Sequence, residues 1–85
     1  MIDEVKIIET LSKDKVKGFD LIKNEYKYFV SNLVTSFVDN KDYAFSITKE
    51  IYHKLFKELK RINKVNNLTT LIYKITINTC INNSI

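Results

Sequence analysis

The sequence predicts an all-α fold, a compact bundle of about four helices, on three observations. The chain has one glycine and no proline in 85 residues, so it lacks the turn residues that a sandwich or barrel would use at every hairpin. Its apolar residues recur at steps of three and four over most of its length, which is the period of a helix. Short polar runs rich in Asp, Asn and Lys separate these stretches and serve as connections.

The first helix is short, with Ile2, Val5, Ile8 and Leu11 at three-residue steps, and it ends in the polar run Ser12-Lys-Asp-Lys15. The second is the clearest: Phe19, Ile22, Tyr26, Phe29, Val30, Leu33, Val34 and Phe37 make one apolar face. Asp39-Asn-Lys-Asp42 breaks the pattern. Asn40 suits a left-handed exit from the second helix, and Asp42 suits the cap of the next. The third helix is expected from Tyr43 to Ile62, with Ala44, Ile47, Ile51, Leu55, Leu59 and Ile62 inward. Phe45, Tyr52 and Phe56 are expected to widen that stripe, opposite a polar face of Lys49, Glu50, His53, Lys54, Lys57, Lys60 and Arg61. Asn63 to Asn67 form a connection. The fourth helix starts near Leu68 and uses Leu71, Ile72, Ile75 and Thr79. Alternation from Ile72 to Ile77 reads locally as a strand. A lone strand would have nothing to pair with, so helix is preferred.

Apolar residues make up 45% of the chain, with five Phe and five Tyr, a composition that folds and that fits one domain over residues 1–85. A single cysteine, Cys80, excludes an internal disulfide and fits a reducing compartment. No apolar run approaches the roughly 18–20 residues of a membrane helix. Met1-Ile-Asp-Glu lacks the order of a signal peptide, so a cytoplasmic location is expected. The net charge is +4, unevenly spread. Residues 1–40 hold six Lys against seven acids, or −1, and residues 41–85 hold seven Lys and one Arg against three acids, or +5.

Candidates for chemistry are few. His53 is the only histidine, and Glu50 three residues before it makes a possible proton-transfer pair that an exposed helix face explains as well. One His and one Cys do not supply the three or four converging ligands of a metal site, and one Gly cannot make a phosphate loop. No enzyme, metal or cofactor is expected. What remains is binding. Lys49, Glu50, His53 and Lys57 make a mixed polar face suited to a protein. Lys60, Arg61, Asn63, Lys64, Asn66, Asn67, Thr69, Thr70, Tyr73, Lys74 and Asn78 interleave basic, amide and aromatic side chains. Such residues can neutralise phosphates, bond base edges and stack on unpaired bases. An Asn-rich helix cap is the alternative source of the same pattern.

Three stretches together resemble a known family. Gly18-Phe19, Leu21-Ile22 and Tyr26 look like the second-helix pattern of bacterial sigma factors of the extracytoplasmic-function type. Tyr43-Ala-Phe-Ser-Ile-Thr-Lys-Glu-Ile-Tyr52 is similar to the family's Ala-Glu-Asp, apolar, Thr-Gln-Glu, apolar, Phe. Thr70-Leu-Ile-Tyr-Lys-Ile-Thr-Ile-Asn78 resembles its Trp-Leu-x-x-Ile-Ala-x-Asn. The resemblance covers about residues 10–83 and implies sigma region 2, the promoter-melting domain. It implies that Ser46, Lys49, Glu50 and His53 dock on the β′ coiled coil of core RNA polymerase. It also implies that Asn63 to Asn67, with Thr70, Lys74 and Asn78, hold an unstacked base of the −10 non-template strand, an extrusion costing a few kcal/mol. Arg61 and Tyr73 complete the expected DNA set.

Where the family has Glu-Asp, Gln and Trp, this chain has Phe45-Ser46, Lys49 and Leu71, and it carries Asn82 and Ile85 where acidic and Arg-rich sequence usually follows. These replacements favour an alternative, a sigma-like interaction module that binds an anti-sigma factor or a sigma partner without DNA. A helix-turn-helix domain for the −35 element does not fit in 85 residues. Region 2 alone, as an excised domain or as a co-sigma factor completed by a separate region 4-type subunit, is therefore expected.

Overall fold

The computed structural model describes residues 3–61 and 67–83, whose four helices pack as a bundle: α1 (Glu4–Lys13), α2 (Lys15–Thr35), α3 (Lys41–Arg61) and α4 (Leu68–Asn83). The alternating stretch in α4 is helix, because residues four apart (Leu68, Ile72, Thr76 and Cys80) bury one continuous face. The expected connection from Asn63 to Asn66, and Ile2, Ile62 and Ile85, lie outside the described residues.

Each helix starts on an Asx side chain that accepts a first-turn amide left without a helical partner. Asp3 accepts from the Lys6 amide at 2.9 Å, Asp14 from Lys17 at 3.1 Å, Asn40 from Tyr43 at 2.8 Å and Asn67 from Thr70 at 2.9 Å. This corrects the reading of residues 39–42. Asn40 caps α3 and does not make a left-handed exit, since no described residue has a positive φ. Asp42 lies inside the first turn of α3, where its charge complements the helix dipole. α2 stops at Thr35, so Phe37 lies past its end.

α2 is the hub, packing against all three other helices, while α4 also packs along α3. The core is built mainly from Ile22, Val30, Val34, Ile47, Ile51, Leu55, Leu59, Leu68 and Ile72. Two expected faces are corrected. In α1, Ile7 and Leu11 are buried and Val5 is 63% exposed. Each three-residue step falls about 60° short of a full turn, so the series Ile2, Val5, Ile8, Leu11 winds around the helix. Only an i, i+4 pair keeps to one side. In α3, Tyr52 and Phe56 widen the stripe as expected, with rings 6.1 and 4.9 Å from Phe19. Phe45 does not; it is 66% exposed. It borders an open groove together with Lys27, Ser31, Val34 and Thr35 of α2, and that groove leaves the ring uncovered.

Tight polar ties close the ends of the bundle. Asp14 alone separates α1 from α2, and its N–H donates to the Thr10 carbonyl at 2.8 Å. Glu4 accepts from the amide and the hydroxyl of Thr69, both at 3.2 Å, joining the starts of α1 and α4. Tyr43 at the start of α3 donates its hydroxyl to the Asn83 carbonyl at the end of α4.

Thr76 is an exception. Thr10, Thr35, Thr48 and Thr79 each donate to the carbonyl four residues back, but the fully buried Thr76 hydroxyl has no hydrogen-bond partner. A buried unpaired hydroxyl costs about 1–3 kcal/mol. Thr76→Val removes it at nearly constant volume and is expected to raise stability by about 1 kcal/mol, read as a higher urea midpoint at unchanged m-value. A lower midpoint would show that the hydroxyl has a partner after all.

Candidate functional site

Ser46, Lys49, Glu50 and His53 stand at i, i+3, i+4 and i+7 of α3 and therefore share one face. Ser46, Lys49 and His53 are exposed, and Glu50 is partly buried. Glu50 is already engaged. Its carboxylate accepts from Lys54 at 2.9 Å and from the Asn83 side chain at 3.4 Å, tying α3 to the end of α4. The Lys54 hydrogen bond, more than the opposing desolvation, holds the Glu50 carboxyl below its ordinary value. A carboxyl depressed on folding adds stability above its unfolded pKa and loses it as pH falls through the folded one, so this tie weakens in acid. Lys49 holds its ammonium 5.6 Å above the Phe45 ring.

The residues expected to face DNA divide into four groups. Thr70, Lys74 and Asn78, at four-residue steps on α4, form one exposed stripe. Tyr73 is 48% exposed and stands to one side of that stripe. Its ring is 6.5 Å from Phe29, which in turn is 5.9 Å from Tyr26, whose hydroxyl meets that of Thr69 at 2.7 Å. Arg61 and Asn67 have structural partners. Arg61 makes a two-point pair with Glu58 at 2.6 and 3.2 Å, and the Asn67 side chain is the α4 cap. Asn63, Lys64 and Asn66 lie outside the described residues. Asn78 also borders a groove of about 310 Å³ between α3 and α4, with Lys54, Leu71 and Ile75 along it.

Sequence reasoning missed a groove beside the Lys49 and His53 face of α3, with which it shares both residues. Between the start of α2 and the end of α3 lies a groove of about 480 Å³ lined by Val16, Phe19, Lys23, Tyr52, His53 and Phe56. A second groove of about 350 Å³ lies towards the α2–α3 connection, where Tyr52, shared with the first, meets Val34, Val38 and Phe45. Four lysines hold their ammonium groups over aromatic rings on these two helices: Lys23 over Phe19 at 5.3 Å, Lys27 over Tyr28 at 5.6 Å, Lys49 over Phe45 at 5.6 Å and Lys60 over Phe56 at 5.5 Å. The signal was present in the sequence, since three of the four pairs are an aromatic followed by Lys four residues on.

Other chemistry is sparse among the described residues. No group of three His, Cys, Asp or Glu converges as metal ligands, and no helix is long and apolar enough to cross a membrane. Cys80 is buried, and burial pushes its thiol up, away from the reactive thiolate. Comparison with protein-family models, with curated proteins and with solved structures finds no significant match.

Proposed function

We propose that this chain is a region 2-type sigma domain, a non-enzymatic module that binds core RNA polymerase and the −10 non-template strand. The observation that carries the reading is the separation of two polar faces on neighbouring helices. Ser46, Lys49 and His53 are open on α3, and Thr70, Lys74 and Asn78 form a stripe on α4. The first set is offered to the β′ coiled coil. The second, with Tyr73 as a half-exposed ring, is offered to an opened strand, where phosphate neutralisation and base stacking supply the affinity.

Retention of core polymerase should fall to background when Lys49, Glu50 and His53 are replaced together. With a −10 non-template oligonucleotide, Lys74→Ala should weaken binding and reduce the slope of log K against log[salt] by about 0.7, one single-strand phosphate contact. Asn67→Asp should weaken DNA binding while the fold keeps its stability, because aspartate caps a helix as well as asparagine does. No polymerase retention and no oligonucleotide binding at about 50 mM salt, where phosphate contacts are strong, would reject the proposal.

A second reading is a sigma-like interaction module without DNA binding, acting on an anti-sigma or sigma partner. The commitment of Arg61 to Glu58 favours it, because it withdraws a cation from the DNA face. Partner binding by a protein with no affinity for the oligonucleotide would select it.

A further inference from the structure

We propose that the groove between α2 and α3 is a docking site for an acidic amphipathic helix of a partner protein. This inference does not rest on the region 2 reading: the groove shares Lys49 and His53 with the proposed polymerase face, but its decisive residues, Val16 and Lys23, belong to neither face assigned above. The floor is apolar: Phe19, Tyr52 and Phe56 pack edge-on and tilted against one another along it. Its two ends are left open to solvent by Val16, 64% exposed, and Phe45, 66% exposed. α2 and α3 run antiparallel, since Phe19 near the start of α2 meets Phe56 near the end of α3 and the connection between them is short. The two grooves share Tyr52 and follow one another along α2, and the stretch of α2 from Val16 to Thr35 that borders them is about 28 Å long at 1.5 Å per residue. That length suits a helix of four to five turns laying apolar residues at i, i+3, i+4 and i+7 into the groove.

Charge complementarity decides the occupant. Lys23, Lys27, Lys41 and Lys49 line the two grooves against Asp20 and Asp39, Lys60 lies over the Phe56 ring at one end, and Lys23 lies 3.9 Å from Asp20. A helix flanked by Glu or Asp would meet this excess of cations and be steered by it. A second copy of the chain would bring the same excess to the interface. Nucleic acid is the weaker candidate because the rings at the rim carry their own lysine over the face on which a base would stack.

The test is selection from a displayed library of 18-residue helices with fixed apolar anchors and randomised flanks, run against the wild-type chain. Selected peptides should be enriched in Glu and Asp, and their affinity should fall tenfold or more in Val16→Asp and in Lys23→Glu. Both substitutions are at exposed sites, and circular dichroism should show the fold unchanged. The proposal is overturned if no peptide is selected, if flanks come out neutral or basic, or if binding ignores Val16→Asp. It is equally overturned if (dT)12 or phosphatidylserine vesicles bind in a manner lost with Val16→Asp while the peptides do not.

Discussion

Leu55→Ala should destabilise the fold by about 2–5 kcal/mol, the usual cost of deleting a buried leucine when the surroundings cannot close the cavity. Leu55 is fully buried near the middle of α3 among the core side chains. A chain of 85 residues has roughly 4–13 kcal/mol of total stability at 0.05–0.15 kcal/mol per residue. The substitution therefore removes a large share of it, and the less stable end of that range would be largely unfolded at 37 °C. The measurement is urea denaturation followed by circular dichroism. His53→Ala, on the exposed side of the same helix, should change stability by no more than about 0.5 kcal/mol. The contrast has functional content, because α3 carries both the proposed polymerase face and one wall of the lysine-rimmed groove. Leu55→Ala should weaken every binding activity together, whereas His53→Ala should lower polymerase retention and leave oligonucleotide binding unchanged. A cost below about 1 kcal/mol for Leu55→Ala would mean that the core is not packed as described.

Gly18→Ala is the second large effect, and its sign opposes helix propensity. Alanine in a helix interior is favoured over glycine by about 1 kcal/mol, so propensity alone predicts a gain. At Gly18 an added Cβ would lie 2.7 Å from the Leu11 Cγ and Cδ2 atoms and 2.8 Å from its Cα. A side chain can rotate away, but the Cα moves only with α1, which Asp14 alone joins to α2. Overpacking of this kind costs about 1–3 kcal/mol. Set against the propensity gain, this leaves a net loss of up to about 2 kcal/mol, and with it a fall in Tm of up to about 16 °C, measured by calorimetry. A rise in Tm would show that α1 and α2 do not approach this closely.

Most of the architecture was legible from local pattern. The helix boundaries came within a few residues, because apolar spacing and polar breaks act over one or two turns. Asn40 and Asp42 were misassigned between themselves, since either can cap and only the backbone path chooses. Tyr52 and Phe56 were read correctly because Phe19 lies opposite them, whereas Phe45 has the same chemistry but borders an open groove and has no such ring against it among the described residues. Within α4, Thr76 and Cys80 are buried while Tyr73 and Ile81 are exposed. The expected face of Leu71, Ile72, Ile75 and Thr79 is buried or packed against the core. Leu68, Thr76 and Cys80 are buried beside it, and their polar or terminal positions gave no sign of that.

The proposed sites show the same division. Ser46, Lys49, Glu50 and His53 share a face by spacing alone, as do Thr70, Lys74 and Asn78. The engagement of Glu50 by Lys54 and Asn83, of Arg61 by Glu58 and of Asn67 by the α4 amide depends on the folded chain.

By itself the sequence determined that the chain is helical, roughly where its helices begin and end, and which side of α3 is polar. These follow from steric, capping and solvation preferences within a few residues of chain. Only the tertiary structure decided which apolar residues are covered. Burial belongs to a pair of surfaces, and residues far apart in the chain supply the second. Val16 and Phe45 remain open beside a buried Ile22 and Ile47 for that reason, and the groove they border exists only once α2 and α3 have packed.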